Sequence, residues 1–260
     1  TGTLDMSTNF QPRIGFGKDA TGTVTAANSS LTVNMGDPAS QAFLRVGDTN
    51  GRAGTDTVGT YTQSAGTLTG HYSSVYIGVN DTNDGSVEGT VDLTGASGSW
   101  DSYGNVTRVG FGRDLDAGTD GQLTFGGDMD VQIGQSTATT FLRVGDTNGK
   151  GVAGVDLDGQ IDMAAGSGSF DAELSNIYIG VNDSGNSSTD AGQTSGSVDL
   201  SNVTAGDFNS GTQGNHEARI GFGQSATGEL IIGDGQNLRL GDTATGVVQL
   251  RLGDSNNKNE

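Results

Sequence analysis

The sequence predicts an all-β fold: a parallel β-solenoid of the right-handed β-helix kind, with about eight rungs of roughly 32 residues. Three observations predict it. A core of Arg or Tyr, then an aliphatic residue, then Gly recurs eight times. The stretches between its copies alternate apolar with polar residues and are broken by Gly, Asn and Asp turns. The 260 residues include 46 glycines but only 32 % apolar residues. That is too little for one spherical core, yet enough for a rod in which each unit covers the next.

The core motif appears as Arg13-Ile14-Gly15, Arg45-Val46-Gly47, Tyr76-Ile77-Gly78, Arg108-Val109-Gly110, Arg143-Val144-Gly145, Tyr178-Ile179-Gly180, Arg219-Ile220-Gly221 and Arg251-Leu252-Gly253. Successive glycines lie 31 to 41 residues apart, a spread that loop insertions produce. The copies come in three kinds in fixed order: Arg with Phe after the Gly, Arg with Asp after it, and Tyr with Val-Asn-Asp after it. The chain therefore reads as one domain, 1–260, built from super-repeats at about 13–107, 108–218 and a shortened 219–260. A pair of β-sandwich domains is the competing architecture, but sandwiches do not usually repeat strand motifs in register.

The individual strands follow. In the motif strands Leu44, Val46, Val75, Ile77, Leu142, Val144, Ile177 and Ile179 are expected to point inward, with each motif Gly opening the bend that follows. Thr23-Val24-Thr25, Val91-Asp92-Leu93 and Val198-Asp199-Leu200 carry the period-two pattern of half-buried strands. Leu238-Arg239-Leu240 matches the mid-unit strand Val131-Gln132-Ile133. Residues 1–6 look like the mid-unit strand Gly89-Thr90-Val91-Asp92-Leu93-Thr94.

Twelve basic residues against 31 acidic ones leave a formal charge of −19, which argues against a nucleic-acid partner. No run of about 18 apolar residues exists, so membrane insertion by a helix is not expected. The absence of cysteine fits a secreted chain. The start at Thr1, with no leader pattern, fits a processed or excised piece.

Gly-Thr-rich strands such as Ala20-Thr21-Gly22-Thr23-Val24-Thr25, leading to Leu31-Thr32-Val33, resemble the passenger regions of bacterial autotransporters and adhesin-like surface β-helix proteins. The resemblance runs over nearly the whole chain in style. It implies a secreted, cell-surface role in adhesion or filament formation, and it carries over no catalytic residue.

Two constellations stand out. If the units stack in register, Arg13, Arg45, Tyr76, Arg108, Arg143, Tyr178, Arg219 and Arg251 form one column. Stacked like charges repel, so Asp48, Asp146 and Asp254 and the tyrosine faces are the expected partners. The column reads as a structural ladder, with contact to an acidic partner, another copy included, as the functional alternative. After the motifs come Asx-rich turns: Asp48 and Asn50, Asp81 and Asp84, Asp146 and Asn148, Asp183. These could form a Ca2+ edge or metal-free Asx turns. The EF-hand spacing is absent, and no other cofactor is indicated.

Catalysis has little support. His71 and His216 fall at different places in the repeat, and the long unit between Gly180 and Gly221, with Asp190, Asp207, His216 and Glu217, reads as a loop insertion. A flat ice-binding face is disfavoured because the threonines do not keep their positions from unit to unit. Neither end offers a covering helix, so end-to-end stacking of copies, or a longer array, is the expected assembly. The expected function is a structural protein of the cell surface or exterior, a filament subunit or adhesin stalk. The alternative is a β-helix that binds or cleaves polysaccharide, with surface glycans as partners.

Overall fold

The computed structural model describes residues 2–7, 10–52, 54, 56–82, 85–112, 117–135, 137–147, 155–182, 192–210, 216–240 and 248–254. Strand β1 (Gly2–Met6) precedes the first coil. Seven complete coils of three strands follow. Coil one holds β2 (Arg13–Phe16), β3 (Thr21–Ala26) and β4 (Leu31–Met35). Coil two holds β5 (Ala42–Asp48), β6 (Thr57–Gln63) and the first half of β7 (Thr67–Asn80). The rest of β7, β8 (Val87–Asp92) and the first half of β9 (Ser97–Gly112) make coil three. Coil four comprises the rest of β9, β10 (Thr119–Phe125) and β11 (Asp128–Gly134). Then come β12 (Phe141–Asp146), β13 (Leu157–Met163) and β14 (Phe170–Leu174), followed by β15 (Asn176–Asn182), β16 (Thr194–Asp199) and β17 (Asp207–Ser210). Coil seven is β18 (His216–Gly223), β19 (Ala226–Ile231) and β20 (Asn237–Leu240), and β21 (Val248–Leu252) opens an eighth. Among the described residues, eight motif strands thus bound seven complete coils.

All the strand pairings described are parallel, each strand pairing with its counterpart one coil away. Three columns of strands result. The motif column contains the Arg-aliphatic-Gly strands. A second, seven-stranded sheet runs β3-β6-β8-β10-β13-β16-β19. The third column runs from β1 through β4 to β20, and it joins the motif column where β7 and β9 pass through the corner unbroken. Residues 2–6 belong to this third column, correcting the expected likeness to 89–94. Leu4 pairs with Val33 and Met6 with Met35, whereas 89–94 begins in the second sheet.

Alternation decides what is inside. Leu44, Val46, Val75, Ile77, Leu142, Val144, Ile177 and Ile179 are all buried. Each contributes about 1.5–3 kcal/mol relative to an exposed position. Tyr61, Val91, Leu123, Ile161 and Val198 face them from the second sheet. An aromatic file lies along the interior, with ring centroids 4.3 Å apart for Tyr72–Trp100, 5.3 Å for Trp100–Phe125, 6.1 Å for Phe125–Phe170 and 6.4 Å for Phe170–Phe208. Thr107 interrupts the aliphatic column, and its buried hydroxyl is 3.0 Å from that of Ser102, so neither is left unsatisfied.

The motif glycine opens the corner from within its strand: from β2 to β18 it lies in the left-handed region and the strand ends one or two residues later. Strand β12 continues through Gly145 to Asp146, and Gly145 sits at φ +59° inside it. Its reason is a close approach of backbones. A Cβ there would lie 1.7 Å from the Ser195 carbonyl oxygen of the second sheet. The second sheet answers with its own in-register glycines, Gly22, Gly59, Gly89, Gly121, Gly159, Gly196 and Gly228. Along this seam the two sheets touch backbone to backbone, with no room for side chains.

The outward residues of the second sheet also keep register. Thr23, Thr60 and Thr90 align, as do Thr25 and Thr62, before Gln122 and Asp92 replace them. The threonines align only over the first coils and then give way to other polar and acidic residues, so they do not stay fixed from coil to coil, as expected.

Candidate functional site

The motif column assembles one continuous stack. Register places Arg13 beside Arg45, Arg45 beside Tyr76, Tyr76 beside Arg108, Arg108 beside Arg143, Arg143 beside Tyr178, Tyr178 beside Arg219 and Arg219 beside Arg251. The residue after each motif Gly turns back toward this column. These residues form a ladder of their own: Phe16, Asp48, Val79, Phe111, Asp146, Val181 and Phe222.

Guanidinium groups and rings interleave. Arg13 lies 4.4 Å from the Phe16 centroid and Arg45 5.1 Å from the same ring. Arg108 is held between Tyr76 at 4.6 Å and Phe111 at 4.2 Å. Arg143 lies 4.7 Å from Tyr178, and Arg219 lies 5.6 Å from Tyr178 and 4.6 Å from Phe222. Two arginines on adjacent coils thus share a phenyl ring, whose negative faces offset the repulsion of like charges.

Carboxylates complete the neutralisation. Arg45 donates to Asp48 at 3.0 Å and Arg143 to Asp146 at 2.8 Å, both pairs mostly covered. Arg219 Nε is 2.6 Å from Glu217, which also accepts from the Tyr178 hydroxyl at 3.4 Å. Burial pushes the Asp48 carboxyl up, the Asn50 amide and Arg45 pull it back, and the charge of Asp81 adds to the rise. Burial, helped by Glu217, likewise raises the Tyr178 hydroxyl.

The Asx edge is only partly described. Asp84, Asn148 and Asp183 lie outside the described residues. Asp48 and Asp146 are buried against their arginines. The second Asp48 oxygen accepts the Asn50 amide at 2.7 Å, and Asn50 Oδ1 accepts from Arg45 at 2.8 Å. The Asp81 amide donates to Thr49 Oγ1 at 3.2 Å. Asp48 thus closes an Asx turn, as Asn80 does with the Thr82 amide on the next coil, and the Thr49 hydroxyl ties the two. Among the described residues, no group of three or more His, Cys, Asp or Glu side chains is placed to hold a metal ion.

Elsewhere the acids bridge coils. Ser195 donates to Asp158 at 2.6 Å, Ser169 to Asp130 at 3.0 Å and Ser167 to Asp128 at 3.1 Å. On the second sheet, burial raises the carboxyl of Asp120, with help from Asp158 and Glu88, and that of Asp162, with help from Asp199.

One cluster escaped the sequence. His71 Nδ1 lies 2.9 Å from the Asp101 carboxylate on the next coil, off the line of an aligned hydrogen bond. The Tyr103 hydroxyl reaches Asp101 and lies 3.3 Å from Gln132 Oε1. Burial is the main cause that raises the Asp101 carboxyl, and the His71 charge opposes it. The other histidine, His216, is buried with Nδ1 3.1 Å from the Ser175 carbonyl, a structural role. Glu217 belongs to the arginine column and Asp207 to the third column, while Asp190 lies outside the described residues. No helix among the described residues is long and apolar enough to cross a membrane.

In comparisons with known proteins, no family model, no curated protein and no solved structure matches this chain.

Proposed function

We propose that this chain is a structural rod of the cell exterior, a filament subunit or the stalk of an adhesin, that stacks end to end with further copies. One observation carries the reading. The side chains with most chemical potential, the arginines, repeat coil after coil and are engaged by neighbouring rings and carboxylates rather than gathered at one place. A catalyst concentrates such groups where a substrate can reach them. The likeness in style to autotransporter passengers points the same way and supplies the surface location.

The inward-facing residues Leu4 and Val24 at one end of the described rod, and Leu238, Leu250 and Leu252 at the other, are exposed, and either further copies or a longer array of the same coils would cover them. Electron microscopy at rising protein concentration tests the assembly. Threads of one coil's width are expected, and single short rods under all salt and Ca2+ conditions would defeat it. Calorimetric titration with Ca2+ tests whether the Asx turns take the ion or stand without it.

The His71–Asp101–Tyr103 cluster favours a second reading, a solenoid that binds or cleaves polysaccharide. A glycan array with a reducing-sugar assay separates the two. Polysaccharide turnover abolished by His71→Ala would replace the structural reading.

A further inference from the structure

An exposed turn and a ladder arginine meet after β5. The Arg52 amide donates to the Thr49 carbonyl at 3.2 Å and closes a tight turn. Its central residues, Asn50 and Gly51, are exposed and have φ of +52° and +67°, both positive as in a type I′ turn. Gly51 has no side chain, and a Cβ added there would meet nothing within 4 Å. The approach to its backbone nitrogen, next to the Asn50 side-chain amide, is therefore open on that side.

Arg45 lies against the same amide. One guanidinium nitrogen donates to Asn50 Oδ1 at 2.8 Å and to Asp48 at 3.0 Å. The rings of Phe43 at 4.1 Å, Phe16 at 5.1 Å and Tyr76 at 5.3 Å surround the group. Its side chain is only 16 % exposed. Asn50 is tied a second time, since its backbone N–H donates to Asp48 at 2.7 Å. A cation thus rests on a side-chain amide oxygen, fixed by the stack, with a glycine nitrogen one residue on.

We propose that Asn50 is a self-modification site, at which the chain converts its own asparagine to aspartate and isoaspartate while Arg45 stabilises the oxyanion. The Gly51 nitrogen, its proton taken by hydroxide, attacks Asn50 Cγ, an intramolecular step that needs no partner to be brought up. Negative charge develops on Oδ1, where the guanidinium already sits and need not reorganise. The Nδ2 group takes a proton from water and leaves as ammonia, and a succinimide ring remains. Water opens the ring at either carbonyl and leaves a carboxylate at position 50. In the aspartate product Arg45 has an anionic acceptor in place of a neutral one, a stronger bond. Asn28 gives the contrast. It too is exposed in an Asx turn, but its Oδ1 accepts a neutral backbone amide, that of Ser30 at 2.9 Å, and the Cβ of Ser29 crowds the ring closure. The sequence copy Asn148-Gly149 lies outside the described residues.

The test follows the whole chain in neutral buffer over weeks by trypsin digestion and mass spectrometry. Cleavage after Arg45 and Arg52 releases residues 46–52, Val-Gly-Asp-Thr-Asn-Gly-Arg, in which Asn50 carries the only side-chain amide. The peptide's mass reports the conversion, and methylation by an isoaspartyl methyltransferase reports isoaspartate. Conversion in the folded chain should run at least about tenfold faster than in a capped synthetic peptide of residues 46–52. Urea, which parts Arg45 from Asn50 by unfolding, should bring the rate of the unaltered chain down to that of the peptide. Folded Arg45→Gln, which keeps a neutral donor, should be slowed likewise, and Asn28 should stay intact while Asn50 converts. A folded-chain rate no higher than the peptide's, an unchanged rate in Arg45→Gln, or equally fast conversion of Asn28 would each overturn the proposal.

Discussion

Gly145 and Gly51 separate two effects that single residues exert on this fold. Both sit in the left-handed region, at φ +59° and +67°. A Cβ on Gly51 would meet open space, while one on Gly145 would strike the Ser195 backbone. Gly51→Ala should therefore cost only the conformational strain, about 1–2 kcal/mol. Gly145→Ala adds a backbone collision that no rotamer relieves, and should cost at least about 3 kcal/mol in urea denaturation. Equal losses would refute the close-approach account of the seam. Arg143 gives a second case. Arg143→Ala breaks the pair with the buried Asp146 carboxylate and should cost about 3–5 kcal/mol. Arg143→Lys keeps a charge for Asp146 but loses the planar stacking on Tyr178, and should cost about 0.5–2 kcal/mol. If the two variants unfold alike, the ring contacts rather than the ion pair hold the arginine.

At the scale of strands, how much the sequence discloses depends on how constant the demand is at each position. The motif strands are legible because every coil needs an outward cation or tyrosine, an inward aliphatic and a glycine at the seam. The second sheet is legible through its glycine and alternating neighbours, although the facing of the two glycine ladders is a property of packing and leaves no local signal. The third column has no fixed residue: Val131 pairs with Phe170 and Ile133 with Ala172. That is why residues 2–6 could be taken for a strand of another sheet. The His71–Asp101 contact is illegible for a related reason. It joins residues 30 positions apart, next to a register shift between Tyr72 and Ser74 that no pattern announces. The same column offers a test of packing. Trp100 is fully buried between Tyr72 and Phe125, so Trp100→Ala should cost about 3–5 kcal/mol in urea denaturation. A loss below about 1 kcal/mol would mean the aromatic file is not under packing tension.

For the whole molecule, the acids set how stability follows pH. Asp48, Asp101, Asp120 and Asp162 have carboxyls raised above the ordinary value of 3.8, each chiefly by burial. A raised carboxyl binds its proton more tightly in the folded chain than in the unfolded one. Its stabilising effect is thus present in acid and is lost as pH rises from 3.8 through the raised folded-state value. The formal charge of −19 acts in the same direction, because deprotonating the remaining acids increases self-repulsion along a narrow rod. Asp56 and Asp128 oppose this, since hydrogen bonds from Ser86 and Ser167 lower them; their contribution is lost only as pH falls below 3.8. Both are fully exposed, and their window lies outside the range where the buried four act. The urea midpoint should therefore be higher at about pH 4 than at about pH 7. Added NaCl should narrow the gap by screening the self-repulsion, while leaving the part due to burial. A midpoint that climbs steadily to about pH 8 would show that the ion pairs of the arginine column outweigh the burial of these carboxyls.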